Sequence, residues 1–141
     1  MSSRTVAVVL LLAAALGCAH AEPPPAGPAL GERFTLRPGE SAVIRGTPVK
    51  VTFEGILSDS RCAVDVVCIQ AGEARASFRL QAGRGGTETF VLDTNRNSSA
   101  VVSGYRVSLV SVSPAPHSKV RIEPKSYAVE LAFSRGESPP S

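Results

Sequence analysis

The sequence contains no tryptophan, and aromatic residues make up only 5% of its 141 residues. A hydrophobic core must therefore be built mainly from Val, Leu, Ile and the five Phe residues. The basic residues are scattered, with no run of Lys or Arg longer than two, and the net charge is only +3. Since a nucleic-acid-binding surface needs a basic stripe, we expect no nucleic-acid partner.

Histidine and recognised catalytic motifs are also scarce. Only two histidines are present, and His117 is the one that lies well beyond the N-terminus. A metal site needs several ligands at suitable spacing, and the D-x-D-x-D-G spacing of a calcium loop is missing. Neither a G-x-S-x-G nor an S-x-x-K motif occurs, and nothing places Glu54, Glu73 or Asp93 at a common cleft. We therefore expect no metal, no cofactor, no catalytic residue and no enzymatic activity.

The N-terminus carries the clearest positive signal. Arg4 precedes an uninterrupted apolar run over residues 6–16, which is typical of a secretory signal peptide and too short to cross a bilayer as a helix. The string Ala15-Leu16-Gly17-Cys18 resembles the lipobox of bacterial lipoproteins, although Leu is more usual where Ala15 stands. We predict a signal peptide over residues 1–17 and lipidation of Cys18.

Two locations in the bacterial cell envelope follow from two processing sites. The resemblance to lipoproteins with Ala after the lipidated cysteine implies an outer-membrane lipoprotein that faces the periplasm or the cell surface. The alternative is cleavage after Ala21 at an A-x-A site, which would release a soluble periplasmic or secreted protein that begins at Glu22.

Either route leaves Cys62 and Cys68 as the remaining cysteine pair. In an oxidising compartment an even pair predicts a disulfide bond. Closing so short a loop contributes about 2 kcal/mol to the free energy of unfolding. Metal binding would need further soft ligands, and a redox-active pair is usually C-x-x-C at the start of a helix.

The composition divides the rest of the chain into three parts. Residues 18–32 are rich in Pro, Ala and Gly and predict an extended tether between a lipid anchor and a folded domain. Residues 33–135 show period-two alternation of apolar and polar side chains almost throughout. Residues 136–141 are expected to form a frayed tail.

The alternation predicts an all-β domain. Its clearest apolar stripes are Val49-Val51-Phe53, Ala74-Ala76-Phe78-Leu80, Tyr105-Val107-Leu109 and Tyr127-Val129-Leu131-Phe133. We also expect a bulge at Gly55 and a brief strand at Val120 and Ile122. One-faced patterns on most strands favour an antiparallel β-sandwich of about eight short strands with one intra-loop disulfide. An immunoglobulin-like strand arrangement fits only in a form without the inter-sheet cysteines and tryptophan.

The central stretch carries a family resemblance. The residues Asp59-Ser60-Arg61-Cys62, then Val64 or Val66, Cys68, Ala71-Gly72 and Ala74 resemble the motif D-S-R-C-P-x-x-V-x-C-x-W-x-G-x-A of uncharacterised bacterial exported proteins and lipoproteins. The segments Leu36-Arg37-Pro38-Gly39-Glu40 and Tyr127-Ala128-Val129 are also similar to that group. The chain departs from the motif at Ala63, where Pro is usual, and at Gln70, where an aromatic residue is common. The resemblance implies an exported protein and supplies no catalytic residue.

The charged residues of this stretch have a structural interpretation. Asp59 is expected to accept backbone N–H bonds, and Arg61 is expected to pair with either Asp65 or Asp59. The valines Val64 and Val66, together with Val67, either plug one end of the sandwich or remain exposed to a partner. Of these two alternatives, the plug is the favoured one.

Two functions compete on these observations. The first is a non-catalytic lipoprotein module of the cell envelope that is held to the membrane by its lipid anchor. It would bind a protein or another envelope component, with candidate loop contacts at Asp59, Arg61, Val64, Asp65 and Val66. The alternative is a periplasmic protein that binds or senses a small ligand or metal ion.

Overall fold

The computed structural model describes residue 17 and residues 27–137. The predicted signal peptide up to residue 16, the lipidation site Cys18 and the tether up to residue 26 lie outside the described residues. The described chain forms eight strands and one short 3-10 helix: β1 (Arg33–Leu36), β2 (Ser41–Val43), β3 (Val49–Asp59), β4 (Ala74–Ala82), β5 (Thr87–Asp93), β6 (Ser99–Val102), β7 (Tyr105–Ser113), the 3-10 helix (Pro124–Ser126) and β8 (Ala128–Arg135).

The strands form two four-stranded antiparallel sheets, which confirms the predicted all-β sandwich. One sheet has the order β1-β8-β7-β6 and the other has the order β2-β3-β4-β5. Each sheet turns one face inward, because apolar side chains alternate with polar ones along the strands. The first sheet buries Val107, Leu109, Val129, Leu131 and Phe133, and the second buries Val49, Val51, Phe53, Ala74, Ala76, Phe78 and Leu80.

Phenylalanines take the place of tryptophan in this core. The ring centroids of Phe53 and Phe78 lie 5.4 Å apart, and those of Phe78 and Phe90 lie 5.5 Å apart. In the other sheet Phe34 stacks on Phe133 at 6.0 Å. Aromatic pairs at such distances add a favourable electrostatic term to the burial of their area.

The long strand β3 contains the bulge expected at Gly55. Its pairing with β4 shifts between Phe53 and Gly55 and again between Ile56 and Ser58. Gly55 has φ = 145°, a conformation that residues with a side chain rarely adopt. The bulges bend β3 near the point at which the strand leaves the sheet.

The last residues of the predicted tether lie against the sandwich. The backbone N–H of Gly31 donates to the carbonyl of Phe133 at 2.8 Å, and the N–H of Arg45 donates to the carbonyl of Pro28 at 2.8 Å. Leu30 packs against the core. Residues 28–32 are therefore anchored to the sandwich by backbone hydrogen bonds and by the side chain of Leu30.

The brief strand expected at Val120 and Ile122 is wrong. His117 and Val120 form only an isolated bridge, and the chain around them makes a turn in which the Val120 N–H donates to the His117 carbonyl. Pro114, Pro116 and Pro124 limit the segment. Because proline lacks an N–H, these positions cannot extend a sheet ladder.

Two ends of the sandwich differ in their connections. At one, which we call the turn end, short connections at 44–48, 83–86 and 103–104 join neighbouring strands. At the opposite one, the loop end, two long connections lie side by side. They are the cysteine loop (residues 60–73) between β3 and β4, and the proline segment (residues 114–123) between β7 and the 3-10 helix.

Candidate functional site

The cysteine loop is closed at its base and bridged across its tip. The Ser60 N–H donates to the Glu73 carbonyl at 2.8 Å, and the Glu73 N–H donates to the Ser60 hydroxyl at 3.1 Å. Cys62 and Cys68 form the predicted disulfide, with an S–S distance of 2.04 Å and a Cα–Cα distance of 6.0 Å. The loop is therefore constrained at two levels.

Gly72 allows the two arms of the loop to approach each other. A Cβ atom at this position would overlap the backbone carbonyl of Ser60. Only glycine can therefore bring the arms together here without a shift of the backbone. This requirement gives a physical reason for the glycine of the Ala71-Gly72 pair.

Arg61 joins the cysteine loop to both sheets. Its guanidinium donates to both carboxylate oxygens of Asp59, from Nε to Oδ1 at 2.8 Å and from Nη2 to Oδ2 at 2.7 Å. The same group donates to the carbonyl of Val112 at 2.7 Å and to the carbonyl of Pro114 at 2.9 Å. The side chains of Arg61 and Asp59 are only 14% and 11% exposed. Of the two predicted partners of Arg61, the structure confirms Asp59.

Asp59 accepts two further bonds, as its expected role in capping the loop requires. The Arg61 N–H donates to Oδ1 at 3.2 Å, and the hydroxyl of Tyr127 donates to Oδ2 at 3.0 Å. The Arg61 side chain, above all, lowers the pKa of the Asp59 carboxyl below its usual value. Burial raises the pKa of the Tyr127 hydroxyl, and its bond to Asp59 adds to this effect. The carboxylate is thus held in its charged form.

Asp65 fastens the cysteine loop to the proline segment. Its carboxylate accepts the backbone N–H of Ser118 at 2.9 Å and the hydroxyl of Ser118 at 2.6 Å. The hydroxyl bond, followed by the backbone bond, lowers the pKa of Asp65. Close by, the Val64 N–H donates to the carbonyl of Pro116 at 2.9 Å. Asp65 therefore has a partner in the proline segment rather than Arg61.

The valines of the loop do not plug the sandwich, so the favoured interpretation of them is wrong. Val64 is 61% exposed, Val66 is 45% exposed and Val67 is 101% exposed. The sandwich is already closed at this end by the contacts of Asp59, Arg61 and Tyr127. The valines lie beyond that layer of polar contacts and point into solvent.

Two further apolar residues are exposed, and neither of them is identified as a site residue from the sequence alone. Ile69 in the same loop is 104% exposed, and Val120 in the proline segment is 64% exposed. The sequence does carry a signal for Ile69, because this residue directly follows Cys68 in a loop that is too short to bury it. We call the five residues Val64, Val66, Val67, Ile69 and Val120 the apolar tip.

A cavity of about 240 Å³ lies in the proline segment beside the apolar tip. Its walls are mainly apolar and include Pro114, Ala115, Val120 and Ile122, with His117 at its side. Within residues 27–137, no three His, Cys, Asp or Glu side chains lie close enough together to hold a metal ion.

The other carboxylates singled out by the sequence lie apart from one another. Glu54 accepts the hydroxyl of Ser77 at 3.1 Å on the outer face of β3. Glu73 contributes its backbone to the base of the cysteine loop. Asp93 is buried at the end of β5, where burial would raise its pKa. The backbone N–H groups of Asn97 and Asn95 outweigh that effect and lower the pKa of Asp93.

Comparison with known proteins does not extend this description. None of the helices in the described part of the chain is long and apolar enough to span a membrane. No protein-family model matches the chain, and neither the search of curated proteins nor that of solved structures gives a match.

Proposed function

We propose that this chain is a non-catalytic lipoprotein module of the bacterial cell envelope that binds a protein or another envelope component through its cysteine loop. One observation carries the proposal. Val67 and Ile69 are fully exposed at the tip of a loop that a disulfide and a layer of hydrogen bonds hold in place. Clustered apolar side chains in water are unfavourable unless a partner covers them.

The rigidity of the loop supports a role in binding. Arg61 and Asp65 make side-chain bonds to residues 51 to 53 positions away along the chain. A loop that is ordered before it meets its partner loses less conformational entropy on association. Among the candidate contacts, Val64 and Val66 thus present apolar area, and Asp59, Arg61 and Asp65 hold that area in position.

The carboxylates support the non-catalytic part of the proposal. A general acid or base near neutral pH needs a raised carboxyl pKa, whereas the pKa values of Asp59, Asp65 and Asp93 are all lowered. Each of the three accepts several hydrogen bonds from the protein itself. They act as fixed acceptors that hold connections between strands.

Photo-crosslinking in cells tests the binding proposal. A photoreactive amino acid at Val67 should give a discrete crosslinked product, because this side chain is fully exposed. The matched control is Val101, an exposed valine (51%) on β6 near the turn end. Equal background labelling from Val67 and Val101 would contradict a protein partner at the loop.

Anchoring at Cys18 is tested by the intact mass of the protein extracted from membranes. We expect the mass of acyl chains on Cys18 and release of the Cys18→Ala variant into the soluble fraction. A mature protein that begins at Glu22 would instead show cleavage after Ala21. That result would remove the lipid anchor and leave the binding proposal intact.

A periplasmic protein that binds a small ligand is a second candidate, and the cavity beside Val120 favours it. Apolar cavities with a few polar groups at their rim are the usual form of small-molecule sites, although about 240 Å³ lies below the usual volume of such sites. A thermal-shift screen of small molecules and metal ions should then give a hit that is lost when Ala115→Phe fills the cavity. A hit that survives this substitution would place the ligand elsewhere.

A further inference from the structure

We infer that the partner of the apolar tip is an anionic phospholipid bilayer, into whose interface the tip inserts. The inference rests on the proposed function, since it names the envelope component that the cysteine loop would bind. It is carried by the shape of the tip, by its area and by the charges around it.

The tip is convex. Val67 and Ile69 expose their whole side chains, and Val64 and Val120 expose more than half of theirs. A second copy of the chain would present the same projecting surface, and two projections do not fill one another in a symmetric pair. Five side chains also offer on the order of a few hundred Å², whereas a stable protein interface buries about 800 Å² on each partner.

Cationic side chains flank the tip. Lys119 and Arg121 are exposed on either side of Val120, and Lys125 is exposed in the 3-10 helix that follows. Within residues 27–137, none of these three forms an ion pair, so their charges are available to anionic headgroups. Juxtamembrane cations are attracted to anionic bilayers in this way.

Two of the acidic groups near the tip accept hydrogen bonds from the protein, and one of these two is paired with a cation. Asp59 is paired with Arg61, and Asp65 accepts two bonds from Ser118. Glu123 is exposed in the proline segment, and Asp65 stays ionised because bonds from the neutral Ser118 do not cancel its charge. The three cations Lys119, Arg121 and Lys125 therefore outnumber these two carboxylates by one, and the apolar residues beside them avoid water by entering the acyl region.

The chain length before the described domain permits the tip and the lipid anchor to share one bilayer. The domain begins at the turn end, where Pro28 and Gly31 bond to Arg45 and Phe133. Nine peptide units separate Cys18 from Gly27, which can span up to about 30 Å. This span is no longer than the nine-residue strand β7, which is about 30 Å long, so the sandwich has to tilt toward the bilayer for the tip and the anchor to insert together.

A tryptophan at the tip provides the test, because the chain has none of its own. The exported, unacylated chain carrying Cys18→Ala and Val67→Trp is mixed with vesicles of phosphatidylglycerol and phosphatidylethanolamine. We expect the tryptophan emission to shift to shorter wavelength and to be quenched by bromine atoms on the acyl chains. The control is Val101→Trp in the same background, which should show neither change.

The charges are tested in the same assay. Adding Lys119→Gln and Arg121→Gln should lower the vesicle association constant about 25-fold, or about fivefold for each cation removed. Arg84→Gln, an exposed cation in the β4–β5 connection at the turn end, should leave it unchanged. Equal association with neutral phosphatidylcholine vesicles would overturn the requirement for anionic lipid.

The outcome separates this inference from the function on which it rests. If Val67→Trp behaves like Val101→Trp with every vesicle while photo-crosslinking at Val67 captures a protein, the bilayer is wrong and the binding module stands. If neither experiment gives a signal, both are wrong. A tryptophan shift with anionic vesicles alone supports the bilayer as partner.

Discussion

At the turn end of the sandwich, strands are joined by short connections that form their own hydrogen bonds, whereas at the loop end two long connections are held by side chains from distant parts of the chain. The Thr47 N–H bonds to the Ile44 carbonyl, and the Gly85 N–H bonds to the Ala82 carbonyl. At the loop end Arg61 bonds to Val112, and Tyr127 bonds to Asp59. The first kind of order comes from backbone turns and the second from a few polar side chains.

This difference has a consequence for stability. A backbone turn loses little when one side chain is exchanged, because its bonds are made by the main chain. The loop end instead depends on one guanidinium that makes bonds to Asp59, Val112 and Pro114. Substitutions at the two ends should therefore differ in their effects, and the following changes measure that difference.

The largest effect is expected from Arg61→Ala. Removing the guanidinium leaves the mostly buried Asp59 carboxylate without its counter-charge, which should lower the free energy of unfolding by about 3 kcal/mol. Urea unfolding at neutral pH measures the change. The control is Arg79→Ala, whose side chain is 53% exposed and lies 3.8 Å from Glu54; it should cost less than about 1 kcal/mol. Equal losses would contradict a special role for the loop end.

Removal of the disulfide should have the next largest effect. We expect the Cys62→Ser, Cys68→Ser variant to lose about 2 kcal/mol, because the unfolded chain regains the freedom of the opened loop. Amide hydrogen exchange should become faster within residues 60–73, and also about 30-fold faster for the buried amides of β4, which exchange by global unfolding. Unchanged exchange in β4 would show that the disulfide constrains the loop without adding to the global stability.

A substitution at the turn end should cost less than either. Gly104 has φ = 81° and follows Ser103 at φ = 50°, as a two-residue hairpin turn with positive φ at both positions requires. Gly104→Ala should lower the free energy of unfolding by about 1 kcal/mol, since a Cβ is strained at this angle. No atom lies within 4 Å of the added Cβ, so a loss as large as that of Arg61→Ala would contradict this estimate.

The smallest expected effect is a difference in pH dependence. The folded-state pKa of Asp59 is lowered, so its contribution to stability is present above the unfolded-state value of about 3.9 and is lost as the pH falls through the folded value. The free energy of unfolding of the wild type should therefore fall more than that of Arg61→Ala between about pH 6 and about pH 2. Urea unfolding at each pH measures both profiles. Parallel pH profiles would show that Arg61 does not set the charge of Asp59.

The sheets could be predicted from the sequence because their signals are local. The alternation of Ala74, Ala76, Phe78 and Leu80 with polar residues gave the buried face of β4 directly. The bulge at Gly55 was equally readable, since glycine inside a strand pattern has few other uses. In both cases the sequence neighbours determine the structure.

The loop end was less predictable, because its geometry depends on contacts between distant residues. Arg61 could be assigned an acidic partner but not its bonds to Val112 and Pro114, which arise only after the sheets have packed. Val67 is exposed because the same layer of contacts fills the end of the sandwich and leaves no space there for the valines. The alternation of two apolar residues predicts a strand at Val120, but the prolines around it prevent the pairing and leave only an isolated bridge.

The tight closure at Gly72 separates the requirements of folding from those of recognition. Ser60 and Glu73 bind each other at the base of the loop, so β3 and β4 are joined there as if by a two-residue turn. The residues between Cys62 and Cys68 are then a replaceable insert. Proteins that share this sandwich could exchange that insert to change partners while the sheets beneath keep one and the same structure.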